Sequence, residues 1–303
     1  MLDLTRLRVL VAVARTGSVT AAARALHYSQ PSVSHHLARL EAETGAKLVQ
    51  RAGRGVRLTE AGRKLAERGA EILGRLDAAE TELAAHVGLR QGRVRMAAFP
   101  SALGTFVPAA ATRLAAGHPD LELRLTEAEP PEAVRMLRAG HVDVAVIFRY
   151  DDSAPEADGV RMRPLLDDPT YLVAAASSAA PPATDLAAYA KTRWIAGCDR
   201  CRLHLLKLCD AAGFEPGIYF TTEDFVAVQA MVAAGLGVTT LPGLALAAAR
   251  NPGVRVAPLP DSTRHVLAAT YGEPPDPPAT AVLLDSLAEA AAAARVRGVP
   301  GSP

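Results

Sequence analysis

The chain has three cysteines among its 303 residues, and all of them fall in Cys198-Asp-Arg-Cys201-Arg-Leu-His204-Leu-Leu-Lys-Leu-Cys209. Clustered thiols support three kinds of chemistry. As metal ligands, Cys198, Cys201 and His204 are soft donors, and Cys201 with His204 can share a helix face. A structural zinc site wants a closed set of four, however, and only Cys209 offers itself as the fourth. As a redox pair, Cys198 or Cys201 stands at a helix start beside Arg200 and Arg202, where a thiolate is favoured, with Cys209 two turns along as the resolving partner. In the third reading Cys209 packs in a core and the other two line a pocket. Composition leaves the three readings open, and no metal or cofactor site is assigned.

A second group of residues is suited to hydrogen bonding on DNA: Ser18, Thr20, Ser29, Gln30, Pro31, Ser32, Ser34, His35 and Arg39. The elements that would position them are two short helices around a polar break. Ser18 caps a helix carrying Ala22, Ala23 and Leu26, and His27-Tyr28-Ser29 stops it. Ser29 caps the next helix, with Pro31 in its first turn, where a missing N–H costs nothing. Val33, Leu37 and Leu40 recur on one face, so Gln30, Ser32, Ser34, His35 and Arg39 fall on or near the other. Short donors and acceptors with a base at the far end form the surface a major-groove helix needs.

The following segment, 45–59, reads as two short strands joined by Ala52-Gly53-Arg54-Gly55, with Arg51, Arg54 and Arg57 at a compact basic tip. It is either a wing on phosphates and the minor groove or a hairpin with solvated arginines. Charge is distributed to match a nucleic-acid binder. The whole chain carries 33 basic and 32 acidic residues, yet residues 1–58 hold nine Arg or Lys against three acids, a local +6 on a remainder of −5.

Leu7, Gly17-Ser18, Ala22-Ala23, Leu26, Ser29-Gln30-Pro31, Val33-Ser34, Leu40-Glu41, Gly45, Leu48, Arg51 and Leu58-Thr59-Ala61-Gly62 together resemble the DNA-binding domain of LysR-type transcriptional regulators. Val49 departs from the family, which usually carries Phe there, and is expected to thin the packing under the wing. The resemblance implies a winged helix-turn-helix, a long dimerising linker helix, and a two-lobe α/β effector domain of the periplasmic-binding-protein type. It also implies double-stranded promoter or operator DNA as a partner, a small-molecule effector, self-association as a homodimer or homotetramer, and RNA polymerase as a further partner. The expected domains are 1–58, a linker 59–90 and an effector domain 91–303, with lobe I at about 91–163 and 266–296 and lobe II at about 164–265.

From Leu65, the positions Gly69, Ile72, Leu76, Ala79, Leu83 and His86 alternate steps of four and three. This is the seam of a two-helix coil, or else an amphipathic face on the chain's own core. Beyond it, strands are expected at Val94–Phe99, Leu121–Thr126, Val142–Phe148, Tyr171–Ala175, Trp194–Ala196, Ile218–Thr221, Gly237–Leu241 and Val266–Tyr271. The intervening helices are Leu103–Ala115, Pro131–Ala139, Cys201–Ala212, Phe225–Ala234 and Ala279–Arg295. Resemblance places the lobe crossings near Pro164–Asp168 and Asp261–His265, and residues 299–303 should be disordered.

Ligands of α/β sheets sit past the carboxyl ends of strands. That selects Pro100, Ser101 and Ala102, then Phe148, Arg149 and Tyr150, then Gly197, Cys198 and Asp199, with Thr222 and Pro242-Gly243. Ser101 sits where the family often offers a hydroxyl. Arg149 either forks a carboxylate or phosphate of an anionic effector or pairs with Asp151 or Asp152. No motif argues for an enzyme: there is no Gly-x-Ser-x-Gly elbow, phosphate loop or His-Glu-x-x-His helix, and Gly235-Leu-Gly237 precedes a strand instead of following one. Asp3, Arg6 and Arg8 interrupt any export signal, so a cytoplasmic regulator is expected and no membrane partner. Two further readings are a peroxide-responsive regulator working through the cysteines and an architectural DNA-binding protein without sequence preference. Acidic-leaning α/β residues in such number argue against the second.

Overall fold

A computed structural model describes residues 2–52, 55–86, 92–150, 159–177 and 185–297. Arg54, Asp151, Asp152 and residues 299–303 lie outside them. The chain divides into two compact units, Met1–Gly92 with Val134–Asp143, and Arg93–Ala133 with Val144–Pro303.

In the first unit the local capping chemistry dictates the elements. Helix α1 (Leu4–Thr16) ends at Gly17, whose φ of 64° is the left-handed conformation glycine adopts without strain. Ser18 accepts from the Ala21 N–H to start α2 (Val19–Ala25), and Ser29 accepts from the Ser32 N–H to start α3 (Gln30–Thr44). Val9, Leu10, Val13, Ala22, Ala23, Val33, Leu37 and Leu40 close a buried core between these helices. Strands β1 (Val49–Ala52) and β2 (Gly55–Leu58) pair antiparallel, Val49 opposite Leu58. Val49, Val56 and Leu58 pack half-buried against that core.

Helix α4 (Glu60–His86) is anchored by Thr59, whose hydroxyl donates to the Lys47 carbonyl and accepts from the Gly62 N–H. Gly62 is needed because a Cβ there would lie 2.0 Å from the Leu48 carbonyl oxygen. The heptad positions divide between both sequence readings. Gly69 is buried against Leu7 and Val11 of α1, as a helix on its own core would be, whereas Ile72 and Leu83 are exposed at 43% and 65%.

The second unit is built on a six-stranded sheet in the order Glu122–Glu127, Arg93–Ala98, Val144–Tyr150, Val254–Tyr271, Val160–Ala175, Thr239–Pro242, and on a separate two-stranded parallel sheet, Arg193–Ala196 with Gly217–Thr221. Strands β3 (Arg93–Ala98), β4 (Glu122–Glu127) and β5 (Val144–Tyr150) are parallel neighbours. Helices α5 (Pro100–Leu103) and α6 (Phe106–Gly117) follow β3, so the expected helix 103–115 starts at 106, after a break at Gly104-Thr105; α7 (Pro130–Arg138) follows β4 and from Val134 on belongs to the first unit. Strands β6 (Val160–Ala175) and β10 (Val254–Tyr271) are far longer than their apolar cores suggested. They pair antiparallel, with a register break between Pro258 and Thr263, and Asp261 within that break has a φ of 56°. Around their other ends stand β7 (Arg193–Ala196), α8 (Asp199–Ala211), β8 (Gly217–Thr221), α9 (Phe225–Ala233), β9 (Thr239–Pro242) and α10 (Gly243–Ala248). Helix α11 (Pro278–Arg297) closes the chain, with Leu283, Leu287 and Ala291 in the core around β3 and β5. Trp194, Leu205 and Cys209 belong to a separate core on the β7 side.

Candidate functional site

On the first unit, α3 buries Val33, Leu37 and Leu40 and leaves Gln30, Pro31, Ser34, His35 and Arg39 exposed, with Ser32 half-buried. The Gln30 amide donates to the Ser34 hydroxyl at 3.2 Å, which orders the two along one edge of the helix. Thr20 on α2 and Arg57 on β2 are also exposed, while Ser18 and Ser29 spend one acceptor position each on their caps. Glu41 at the far end of α3 accepts from the N–H groups of Leu48 and Val49 and pairs with Lys47 at 2.8 Å. Burial works against its charge, and these donors together hold Glu41 below the usual carboxylate range. A single carboxylate therefore fixes the hairpin against the helix.

On the second unit a cavity of about 50 Å³ opens past the ends of β3, β5, β7 and β9. Phe99, Phe148, Phe225 and Leu241 make it mostly apolar, with Ser101, Glu129, Cys198, Cys201, Thr222, Glu223, Thr240 and Arg264 as its polar residues. Arg264 on β10 is the centre of this arrangement. Its guanidinium lies 4.9 Å from the Phe99 ring centre and 4.4 Å from that of Phe148, bonds Asp168 of β6 at 2.8 Å, and donates to the Ser101 hydroxyl at 2.7 Å. Arg264 and Asp168 are 3% and 2% exposed. Burial pushes the Asp168 carboxyl up, with Arg264 and the Leu244 N–H pulling it back; burial also opposes the Arg264 charge, which Asp168, Tyr150 and Cys201 together more than restore. Glu129 stands at the wall, raised by its burial with the neighbouring Cys198 thiol pulling the other way, and its Oε2 is buried without a hydrogen-bond partner among the described residues.

The cysteines separate here. Cys198 occupies the N-cap position of α8 without a side-chain capping bond, Cys201 sits one turn on, and their sulfurs are 2.8 Å apart at the cavity wall. Cys209 is fully buried in the core with Trp194 and Leu205, where burial lifts its thiol to about 11. That placement removes Cys209 from the redox reading as resolving partner and is the one the core-and-pocket reading describes. His204 does not join the thiols as a ligand: its ring stacks on Tyr150 at 3.6 Å and bonds the Ser262 hydroxyl at 2.9 Å. Among the described residues no three His, Cys, Asp or Glu side chains form a metal-binding group.

Residues 4–63 match the family model described as bacterial regulatory helix-turn-helix protein, lysR family, and residues 88–292 match that of the LysR substrate binding domain. The chain belongs to the LysR family of transcriptional regulators. It is 30% identical over 283 residues to the HTH-type transcriptional regulator TfdS of Cupriavidus pinatubonensis, covering 89% of this chain and 92% of that one. Its fold matches CbnR, a LysR family regulator solved alone and with target DNA, at a TM-score of 0.67 for the former, with 24% identity and coverage of 96% and 99%. A hydrogen-peroxide-bound cysteine mutant of OxyR from Corynebacterium glutamicum matches at a TM-score of 0.57 and 25% identity over 97% and 93% of the chains. This LysR regulator is thus a DNA-binding transcriptional regulator with an effector-binding domain, a helix-turn-helix joined to two α/β lobes. No helix among the described residues is long and apolar enough to cross a membrane.

Of the residues selected for the cleft from strand ends, Pro100, Ser101, Phe148, Gly197, Cys198, Thr222 and Pro242 line the cavity, whereas Tyr150, Asp199 and Gly243 are not in its lining. Ala102, on α5 itself, points into the core, is wholly buried there and is not in the lining. Arg149 is also absent from the lining. Strand alternation turns it to the face opposite Phe148 and Tyr150, where it stands across from His265 in the β5–β10 register. The cavity's cation is Arg264, which sequence reading passed over because it lies in a segment read as a lobe crossing. Glu129 was missed as well; an acid beside Pro130-Pro131 looks like a helix start and nothing more.

Proposed function

We propose that α3 enters the major groove, with Gln30, Ser32, Ser34, His35 and Arg39 toward the bases, and that Ser18, Thr20, Ser29, Pro31, Arg51, Arg54 and Arg57 flank it along the backbone. The support is the exposure of the short polar side chains on the face opposite Val33, Leu37 and Leu40, with Arg57 exposed on the hairpin fixed beside them. Two copies pair through the exposed stretch of α4 around Ile72 and Leu83, as homodimers or homotetramers, with domains divided at about residues 58 and 90. Working in the cytoplasm, the assembly meets promoter DNA and, through it, RNA polymerase.

The observation that carries the effector reading is Arg264, bridging Asp168 and Ser101 between two aromatic rings at the cavity floor. Because Asp168 already balances that guanidinium, and Glu129 and Glu223 add acid to the lining, the effector is a small, mainly apolar molecule bearing a hydrogen-bond donor for Glu129. The anion expected from Arg149 has no free cation waiting for it among the described lining residues. Thermal unfolding of the full chain against small amines, alcohols, phenols and carboxylates tests this. A donor-bearing compound should raise the midpoint of the wild type, and Glu129→Gln should weaken its binding roughly 10-fold, the worth of one charge-assisted hydrogen bond. Stabilisation by carboxylates alone, indifferent to Glu129→Gln, would restore the anion.

A further inference from the structure

We propose that Cys198 and Cys201 form a dithiol redox site of the cleft, which a small hydroperoxide converts to an intramolecular disulfide with Cys201 attacking and Cys198 resolving. Three observations converge on the pair. The sulfurs are 2.8 Å apart, with the Cys198 thiol donating to Cys201. Both residues line the same cavity, and its 50 Å³ admits a molecule of a few heavy atoms. Cys209, the other thiol, is sealed in a different core.

The surroundings divide the labour between the two sulfurs. Cys201 lies in the first turn of α8, where unpaired backbone N–H groups favour negative charge. The Cys198 S–H bond is the largest influence holding the Cys201 thiol below its ordinary value; burial opposes this, and the Arg264 charge and the Tyr150 hydroxyl add to it. Donating that bond, together with burial, pushes Cys198 far up, so it stays a thiol until called on. Gly197 makes room: a Cβ there would meet the Cys201 Cβ at 3.2 Å.

The chemistry balances without a cofactor. The Cys201 thiolate attacks one oxygen of the hydroperoxide and the O–O bond breaks, giving the Cys201 sulfenic acid and a hydroxide or alkoxide, which takes up the proton Cys201 released. The Cys198 sulfur then displaces the sulfenic hydroxyl, which leaves as water with the Cys198 proton. With hydrogen peroxide, two thiols and one peroxide give one disulfide and two waters, and two electrons pass from sulfur to oxygen. The new bond closes at the start of α8, beside Arg200, which donates to the Phe148 carbonyl of β5 at 3.4 Å. Oxidation therefore acts where α8 touches the opposite lobe. Only this last consequence rests on the cleft being the sensing site; the thiol chemistry stands apart from it.

The test uses the reduced full-length protein and stoichiometric hydrogen peroxide. Free-thiol titration should fall from three to one. Trypsin cuts after Arg200, between the two cysteines, so in the oxidised protein the Trp194–Arg200 fragment should carry Cys201-Arg202 attached through sulfur. Cys198→Ser should stop at a sulfenic acid that dimedone traps, Cys201→Ser should slow thiol loss at least 10-fold, and Cys209→Ser should change neither rate nor product. A crosslink through Cys209, a bond between chains, or thiol loss in the wild type no faster than in Cys201→Ser would overturn the proposal. The ratio of operator to random DNA binding is read on the same samples. A disulfide that forms but leaves that ratio unchanged would retain the dithiol chemistry and remove its coupling to the DNA-binding helices.

Discussion

Asp168→Ala is expected to lower the unfolding free energy of the effector domain by about 3–5 kcal/mol, the cost of stranding a buried charge. The removed carboxylate bonds Arg264 and also receives the Leu244 N–H at 2.9 Å, so the guanidinium keeps only the neutral Ser101 hydroxyl and the start of α10 loses its acceptor. The chain's single tryptophan, Trp194, is wholly buried in the neighbouring core and reports the transition in a denaturant titration of the full chain. Replacing both members by apolar residues of similar volume, Asp168→Leu with Arg264→Met, should recover most of the loss, because no charge is then left without water or partner. Loss of the effector response in that stable double variant would separate recognition from folding. A cost below about 1 kcal/mol for Asp168→Ala would mean that water reaches the pair and that it does not order the cavity floor.

The second large effect concerns discrimination. Ser34→Ala with His35→Ala should weaken binding to the operator by roughly 100-fold, taking about 1–3 kcal/mol for each contact to a base edge, while changing binding to random DNA only slightly. Arg57→Ala should instead weaken both DNAs together and reduce the dependence of log K on log salt by about one phosphate contact. Equal losses on operator and random DNA in the α3 variant would remove Ser34 and His35 from base readout. An unaltered salt slope in Arg57→Ala would take it off the phosphates.

How far the sequence revealed these features depended on the range of the interactions that make them. The helix-turn-helix was legible residue by residue because its boundaries are set locally: Ser18 and Ser29 cap within three residues, and Gly17 and Gly45 end their helices in the left-handed region. The linker face could be read only as a pattern. Whether Gly69 meets a second copy or its own α1 depends on Leu7 and Val11, some 60 residues away, and it meets those. The long strands β6 and β10 were hidden because Pro164, Asp167, Asp168 and Pro169 break the apolar run, as do Asp261 and Ser262. Those breaks hold the cavity's buried pair. Arg264 and Asp168 are 96 positions apart and meet only through the β6–β10 register. The cysteine cluster was visible as a cluster, but assigning partners needed the helix phase: three residues bring Cys201 to Cys198, while eight more send Cys209 into the opposite core.

The most direct test of the account is the affinity ratio of the reduced full-length protein for a sequence selected from a randomised DNA pool over unselected DNA, measured across a range of salt. A regulator reading bases through α3 should favour the selected sequence about 10³-fold or more at physiological salt, on two half-sites related by a dyad and spaced by whole turns, with the preference lost in the Ser34 and His35 variant. A ratio near one, with affinity that follows salt alone, would contradict it and leave the basic face as a general binder of the DNA backbone.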